Sequence, residues 1–388
     1  MIPYGRQDIN QADIDAVVEV LHSDFLTQGP IVPAFEKSIA DYCGAEHAIA
    51  VNSATSALHI ACLALGVGNG DVVWTTPITF VASANCALYC GADVDFVDID
   101  PVTYNLSAED LKFKLEYAAA NALPLPKVVI PVHLCGQPCE MDKIYLLSLE
   151  YGFSIIEDAS HAIGGKYKGL PIGNCKYSDI TVFSFHPVKI VTTGEGGVAT
   201  TNKADLAQRM NLLRSHGITR DEKLMTQSSH GGWYYEQVDL GFNYRMTEMQ
   251  AALGVSQMSR LHDFVAKRNQ LAARYDELLK GLPLTTPFQI EESYSGRHLY
   301  VIRLKLNQII LSHKEVFNQL RKNSIGVNLH YIPVHTQPYY QSLGFNQGQF
   351  PRAESYYRDA ISIPLFPSMT NEQQDLVVNV ISKVLAEK

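Results

Sequence analysis

The sequence predicts an α/β protein that is followed by a smaller C-terminal α+β domain. Three observations lead to this prediction. From about residue 31 to 200, short apolar and β-branched runs alternate with helical segments. Beyond about residue 205 the pattern is helical, and residues 283–388 mix strand and helix signals. The chain of 388 residues is long enough to bury the cores of two or three domains.

Residues 1–30 are predicted to form an N-terminal arm. Residues 9–21 have helical periodicity, and Asn10 or Asp8 is available as the cap of this helix. The arm ends in a polar turn that includes Gly29-Pro30.

The alternating region supplies the predicted strands of a large domain. Each strand is a short apolar run with β-branched residues, bounded by polar or glycine-containing turns. The predicted strands are residues 47–51, 71–75, 94–99, 127–133, 153–158 and 180–183. A helix is predicted over residues 57–65, and residues 165–169 are predicted to reverse the chain in a hairpin.

The C-terminal part begins near a long predicted helix. Its apolar stripe runs from Thr247 to about Leu279. A strand is predicted over residues 299–304. Placing the boundary in this helix gives a large domain of residues 31–260 and a small domain of residues 261–388.

Composition excludes several classes of function. The net charge is −9, and there is no basic run of the kind that nucleic-acid binding requires. The apolar runs are too short to span a bilayer, and the N-terminus lacks the pattern of a signal peptide. Seven scattered cysteines without a Cys-x-x-Cys pair suit reduced thiols, so we expect a cytoplasmic protein.

Lys189 is the first candidate for a chemical role. It follows the predicted strand at residues 180–183 and precedes a glycine-rich turn at residues 194–197. A lysine held close to the backbone loses hydration, and a neutral amine can attack a carbonyl to form a Schiff base. The alternative is an exposed lysine on a surface loop, which is the more common fate of this residue type.

Three further features could bind one flat, anionic ligand. Residues 52–56 lie between a strand and a helix, where they bind an anion or only cap the helix. Asp158 ends an apolar strand and either pairs with a protonated ring nitrogen or caps the next helix. His161 follows three residues later, and Phe80 is either a stacking surface or a core aromatic.

Other kinds of active site fit less well. No zinc-type spacing recurs among the histidines and cysteines, and no Gly-x-Ser-x-Gly motif of a hydrolase is present. An amine, an anion site, a ring-nitrogen carboxylate and a stacking aromatic together describe a site for pyridoxal 5′-phosphate (PLP).

Seven motifs spread over nearly the whole chain resemble those of the DegT/DnrJ/EryC1/StrS sugar aminotransferases. They are residues 27–30, 52–58, 76–80, 157–164, 184–197, 241–248 and 330–335. The resemblance implies a fold-type I PLP-dependent aminotransferase, in which helices flank a mostly parallel central sheet in the large domain. It also implies a homodimer whose active sites are shared between the subunits.

The resemblance also implies a role for individual residues. Lys189 forms the Schiff base and moves the proton, Asp158 meets the pyridine nitrogen, and His161 contacts the ring hydroxyl. The implied cofactor-binding residues are Ala54, Thr55, Phe80, Asp158, His161, Ser184, Lys189 and Asn243, the last reaching the neighbouring subunit's phosphate. The implied substrate-binding residues are Tyr4, Asp24, Phe25, Leu26, Thr27, Ala54, Ser184, Asn243, Asn328, Leu329, His330 and Tyr331. No metal is implied.

Within the family, the motifs most resemble those of the pseudaminic acid branch. This resemblance implies transfer of the amino group of L-glutamate to C4 of a UDP-linked 4-keto-6-deoxy-N-acetylhexosamine. A family member acting on another UDP- or dTDP-keto-sugar is the alternative. Related sugar dehydratases have a histidine in place of the lysine, and Lys189 argues against them. A Rossmann oxidoreductase would need a Gly-x-Gly-x-x-Gly motif after the first strand, which is absent.

Overall fold

A computed structural model describes residues 1–386, and a seven-stranded sheet forms its centre. The strand order is β1-β9-β8-β5-β4-β2-β3, and only β9 runs against the other six. The strands are β1 His47–Val51, β2 Val72–Thr75, β3 Asp93–Phe96, β4 Val128–Ile130, β5 Ser154–Asp158, β6 Lys166–Tyr167, β7 Leu170–Pro171, β8 Ile180–Ser184, β9 Gly197–Thr201, β10 Ile218–Thr219, β11 Glu236–Gln237, β12 Leu284–Thr285, β13 Ser293–Tyr294, β14 Tyr300–Leu304 and β15 Ala360–Ile363. The predicted, mostly parallel sheet is confirmed.

Helices α2 to α7 cover the two faces of this sheet, and other helices belong to the arm and the small domain. The helices are α1 Gln11–His22, α2 Ile31–Cys43, α3 Ala54–Ala64, α4 Ala82–Tyr89, α5 Ala108–Ala120, α6 Met141–Tyr151, α7 Ala204–Arg214, α8 Glu248–Met258, α9 Leu261–Leu278, α10 His313–Lys322, α11 Pro338–Ser342, α12 Pro351–Asp359 and α13 Asn371–Leu385. Among residues 1–386, no helix combines the length and the apolar character needed to cross a membrane.

Alternation along the central strands explains the two layers of helices. In β5, Ile155 packs into the core beneath α2, α5 and α6, whereas Ile156 packs into the core beneath α3, α4 and α7. In β4, Val129 packs into the same core as Ile155, and Val128 packs into the same core as Ile156. Successive side chains of a strand point to opposite faces, so a near-continuous apolar run is what a sheet buried on both faces requires.

The small domain is built on a second, antiparallel sheet. Its three strands are ordered β12-β14-β15, and α10 and α13 complete a separate apolar core. Helix α9 connects the two parts, since Phe264 packs into the large-domain core and Tyr275 into the small-domain core. The boundaries at residues 30 and 260 stay a prediction, and residues 387–388 of the predicted small domain lie outside the described residues.

The single long helix predicted from residue 247 to 279 is wrong. The chain leaves helical geometry at Arg260, where φ is −108° and ψ is 3°, so α8 and α9 are separate helices. The Arg260 guanidinium binds Asp8 at 2.7 Å and Asp13 at 2.5 Å. These ion pairs with the N-terminal arm fix Arg260 at the junction of the two helices. They cannot be predicted from the periodicity of the helical sequence.

Two predictions of local structure are confirmed. Asn10 caps α1 and forms a reciprocal capping box with Asp13. The predicted hairpin is the pair β6 and β7, which turns at Lys168 and Gly169. Both turn residues have positive φ, 48° and 79°, as a two-residue hairpin turn requires.

Candidate active site

A cavity of about 820 Å³ opens where the parallel strands end. Strand β5 ends at Asp158 and β8 at Ser184, while α3 begins directly after β1. Residues from the small domain close the far side. The cavity is lined by these predicted site residues: Tyr4, Ala54, Thr55, Phe80, Asp158, His161, Ser184, Lys189, Asn328, Leu329, His330 and Tyr331.

Lys189 lies in a tight turn after β8, and its side chain enters the cavity. Its backbone N–H donates to the carbonyl of His186 at 2.9 Å, which keeps the segment close to the sheet edge. Loss of hydration lowers the pKa of Lys189 to about 8, although the negative charge of Asp158 opposes the shift. Within residues 1–386 its Nζ has no hydrogen-bond partner. Its amine is therefore partly neutral near neutral pH.

Asp158 presents a fixed carboxylate to the same cavity. Its side chain is buried, with 5% of the residue exposed. Oδ2 accepts a hydrogen bond from the Ser83 hydroxyl at 2.6 Å, and Oδ1 accepts one from the Ser160 backbone N–H at 3.1 Å. Hydrogen bonds to the charged form stabilise a carboxylate inside a protein.

His161 is held as a neutral imidazole. Its Nδ1 accepts a hydrogen bond from the Cys135 backbone N–H at 3.3 Å, so the proton of the neutral ring is on Nε2. That nitrogen lies 3.0 Å from the Tyr331 hydroxyl. Burial, reinforced by the positive charge of Lys189, lowers the pKa of His161 well below its usual value. His161 therefore donates a hydrogen bond without carrying charge.

The N-terminus of α3 forms an anion cradle. Ser53 caps the helix and accepts the Ser56 N–H. Within residues 1–386 the backbone N–H groups of Ala54 and Thr55 have no partner, and helix N-termini with free N–H groups bind anions. A Cβ added at Gly197 would lie 2.5 Å from the Ala54 nitrogen, so only glycine allows β9 to pass so close.

These residues fit PLP. The cradle can hold its phosphate, and Asp158 and the exposed ring of Phe80 line the same cavity as Lys189. The free N–H groups are hydrogen-bond donors for a phosphate, and the unpartnered amine is a nucleophile for an aldehyde. The cavity volume lies in the range of cofactor and ligand pockets.

Comparison with known proteins decides the family. The model of the DegT/DnrJ/EryC1/StrS aminotransferase family matches residues 7–382. This chain belongs to that family.

Relatives and solved structures agree with this assignment. The UDP-4-amino-4,6-dideoxy-N-acetyl-β-L-altrosamine transaminase of Campylobacter jejuni is 36% identical over 386 residues, 99% of this chain and 98% of that protein. GDP-perosamine synthase of Caulobacter vibrioides is also 36% identical, over 98% and 96%. The structure of Helicobacter pylori PseC, an aminotransferase of pseudaminic acid biosynthesis, matches with a TM-score of 0.89 and 30% identity over 99% of both chains.

The cofactor assignment follows from the same family. The PLP form of the putative sugar aminotransferase Spr1654 of Streptococcus pneumoniae matches with a TM-score of 0.88 and 29% identity, covering 99% of this chain and 98% of that chain. This protein is a PLP-dependent sugar aminotransferase.

Five predicted site residues of this aminotransferase lie outside the cavity. They are Asp24, Phe25, Leu26, Thr27 and Asn243, and all five are exposed. The arm residues are held by the start of α8, since the Leu26 carbonyl accepts the Glu248 N–H at 3.0 Å. The resemblance assigns Asn243 to a neighbouring subunit's site, so the roles of these residues stay predictions.

Sequence reasoning missed the residues that orient the predicted ones. Ser83 and the backbone of Cys135 bind Asp158 and His161, and neither belongs to a contiguous motif with its partner. His186 and Glu195 also line the cavity. The one available signal was the pair of hydroxyl residues Thr79 and Ser83 at the point where the chain turns into α4.

Proposed function

We propose that this aminotransferase transfers the amino group of L-glutamate to the C4 ketone of UDP-2-acetamido-2,6-dideoxy-β-L-arabino-hex-4-ulose. The product is UDP-4-amino-4,6-dideoxy-N-acetyl-β-L-altrosamine, a precursor of pseudaminic acid. The likeness to the C. jejuni transaminase and to H. pylori PseC over nearly the whole chain supports this substrate.

The observation that carries the chemistry is that Lys189, whose pKa is lowered to about 8, lines the same cavity as Asp158. Bound PLP supplies an aldehyde that exchanges amines and a ring that accepts electrons. Lys189 Nζ would act as the base and acid that moves a proton within the cavity. An amine with a pKa of about 8 is suited to both directions of that transfer near neutral pH.

The surrounding residues hold the cofactor in a reactive orientation. Asp158 is proposed to pair with the ring nitrogen and keep it positive, and His161 to donate its Nε2 proton towards the ring hydroxyl. Ala54 and Thr55 bind the phosphate through backbone N–H groups at the start of α3, with the Ser184 hydroxyl beside them. Phe80 packs on the face of the ring.

The sugar nucleotide is proposed to enter from the small-domain side. Tyr4 and residues 328–331 line that part of the cavity. Burial lowers the pKa of His330 to about 3, so this wall offers a neutral imidazole together with the Asn328 amide and the Tyr331 hydroxyl. Neutral donors and acceptors suit the hydroxyl and acetamido groups of a sugar.

We also propose a homodimer with shared sites and a cytoplasmic location. Exposed apolar side chains at Phe25, Leu26, Trp233 and Leu240 support a partner surface, because large exposed apolar groups often mark interfaces. The seven cysteines are all free thiols, as expected in a reducing compartment.

A substrate panel tests the proposed reaction. The purified enzyme is assayed with L-glutamate and with UDP-, GDP- and dTDP-linked 4-keto-6-deoxy sugars, and kcat/KM is measured for each. The UDP-N-acetyl sugar should exceed the others by about tenfold or more, since one well-placed polar contact discriminates by at least that factor. Activity confined to a GDP- or dTDP-sugar would overturn the substrate assignment but not the aminotransferase chemistry. A GDP-sugar is the second candidate, because GDP-perosamine synthase is equally similar in sequence.

A further inference from the structure

Two buried hydroxyl groups form a hydrogen-bonded chain behind Asp158. Thr79 also lines the cavity, whereas Ser83 does not. The Ser83 hydroxyl lies 2.6 Å from Asp158 Oδ2, and Thr79 Oγ1 lies 2.7 Å from Ser83 Oγ. Ser83 is completely buried and Thr79 is 2% exposed. Ser83 Oγ also lies 3.4 Å from the Phe80 carbonyl, a much longer contact.

The direction of this chain follows from the chemistry of its ends. An ionised carboxylate only accepts hydrogen bonds, so the single proton of Ser83 points to Asp158. Thr79 must then donate its own proton to Ser83. Each donation strengthens the next one, and hydrogen bonds to a charged acceptor are the strong ones in proteins.

This chain of hydrogen bonds also connects two groups that line the cavity, the Asp158 carboxylate and the Phe80 ring. Phe80, whose ring is exposed there, lies between Thr79 and Ser83 in the same turn at the start of α4. A displacement of this turn would therefore move the stacking ring and the partner of the carboxylate together.

We propose that Ser83, supported by Thr79, is a positioning residue that orients Asp158 and shares its negative charge, and so sets how much positive charge the cofactor's ring nitrogen keeps. The inference rests on the role of Asp158 in the proposed function. Without the Ser83 hydroxyl, the carboxylate is less well compensated and competes more strongly for the proton of the ring nitrogen. The ring then becomes a weaker electron acceptor.

A matched control is available at Glu157, the residue that precedes Asp158 in β5. The Ser178 hydroxyl donates to Glu157 Oε1 at 2.5 Å, and Glu157 is buried on the other face of β5, where His133 binds it at 2.7 Å. Neither Ser178 nor Glu157 lines the cavity. Ser178→Ala therefore removes a short hydroxyl–carboxylate hydrogen bond and leaves the hydrogen bonds of Thr79, Ser83 and Asp158 unchanged.

The test compares holoenzymes of Ser83→Ala and Ser178→Ala with the wild type. The readouts are the pH midpoint of the cofactor's visible absorbance band and the cofactor Kd from titration of the apoprotein. Ser83→Ala should weaken cofactor binding by up to about tenfold, because Asp158 is then no longer held in its binding orientation before the cofactor arrives. It should also shift the midpoint upwards, because a less positive ring lets the bound imine nitrogen keep its proton to higher pH. Ser178→Ala should change neither.

Other titratable groups near Asp158 stay the same in this comparison. Lys189 interacts with it from the loop after β8, Tyr331 from the small domain and Cys139 from the start of α6. None of them is altered by either substitution. Equal effects of Ser83→Ala and Ser178→Ala on both readouts would overturn the inference.

A second variant protects the test against misfolding of Ser83→Ala. Thr79→Val keeps the shape of the side chain and removes only the outer hydroxyl, so the midpoint should shift in the same direction by a smaller amount. No shift of the midpoint, or a shift to lower pH, would contradict the proposed support of Ser83 by Thr79.

Asp158→Asn separates this inference from the proposed function. In that background Ser83→Ala should add no further shift, because no carboxylate remains to be tuned. If Asp158→Asn leaves absorbance and activity unchanged, the proposed role of Asp158 fails. If Asp158→Asn alters both and Ser83→Ala alters neither, only the role of Ser83 fails.

Discussion

The amine of Lys189 is subject to two opposing influences. Burial removes its hydration and lowers its pKa, while the carboxylate of Asp158 favours the charged form. The first influence is larger, so the pKa falls to about 8. At the scale of single residues, this balance makes a lysine that is usually an exposed cation available as a nucleophile and as a proton carrier.

Replacing Lys189 with alanine should abolish both functions. The variant Lys189→Ala should lose the visible absorbance band of the bound cofactor, and turnover should fall by about a thousandfold or more. Absorbance spectroscopy and a glutamate-dependent assay measure the two effects. A purified variant that keeps the band and full turnover would remove Lys189 from the mechanism.

The apoprotein should also show the energetic cost of this lysine. The pKa of Lys189 is about 8 in the folded protein and 10.5 for an ordinary lysine, so the unfolded chain binds more protons between these pH values. Stability of the wild type therefore increases as pH rises from about 8 to 10.5, and the burial cost is fully present below pH 8. Lys189→Met should be more stable by about 2 kcal/mol at pH 7.

Urea unfolding of the two apoproteins at pH 7 and at pH 10.5 measures this difference. The advantage of Lys189→Met should shrink towards zero at the higher pH. An advantage that is the same at both pH values would mean that packing, and not the buried charge, is responsible.

At the scale of elements, the approach of β9 to the start of α3 shapes the anion cradle. The Gly197 backbone lies so near Ser53 and Ala54 that a side chain has no space. The antiparallel strand β9 was not among the strands predicted from the sequence, although its first residue, Gly197, ends the glycine-rich turn that follows Lys189. The close contact depends on how β9 pairs with β1 and β8, which no local pattern specifies.

A methyl group at Gly197 should therefore damage the cradle. Gly197→Ala should push α3 outwards, weaken cofactor binding by at least about tenfold and lower the free energy of unfolding by about 1–3 kcal/mol. Titration of the apoprotein with PLP and urea unfolding measure the two effects.

Gly68 provides the control because a Cβ there meets no atom within 4 Å. It lies in the loop that follows α3, and its φ is not in the left-handed region. Gly68→Ala should leave both quantities close to those of the wild type. Equal effects at the two positions would show that the contact at Gly197 is not what limits binding.

At the scale of the whole molecule, the exposed position of Asn243 is explained if a second subunit is present. Asn243 lies outside the cavity, and its backbone pairs with Ser215. In the proposed dimer it serves the partner's phosphate site. A residue that acts across an interface can be separated genetically from one that acts within its own chain.

Subunit complementation tests the shared site. Lys189→Ala and Asn243→Ala chains, carrying different tags, are co-expressed, and mixed dimers are purified and assayed. One site of the mixed dimer then carries both defects and the other carries none, so about half of the wild-type activity per dimer should return.

The parent variants as homodimers are the controls, and light scattering establishes the oligomeric state. A mixed dimer no more active than its parents would place Asn243 in its own subunit's site. A monomeric wild type would overturn the shared site altogether.

The α/β class, the resemblance to the family and the main candidates for chemistry could all be predicted from the amino-acid sequence. These features depend on short contiguous patterns, such as a strand ending in Asp158 or a lysine before a glycine-rich turn. Such patterns can be recognised directly in the sequence. The partners that orient those groups became visible in the folded chain alone. Ser83 meets Asp158 from 75 residues away, Tyr331 meets His161 from 170, and Arg260 meets Asp13 from 247. Such contacts exist because the chain packs upon itself, and no spacing along the sequence encodes them.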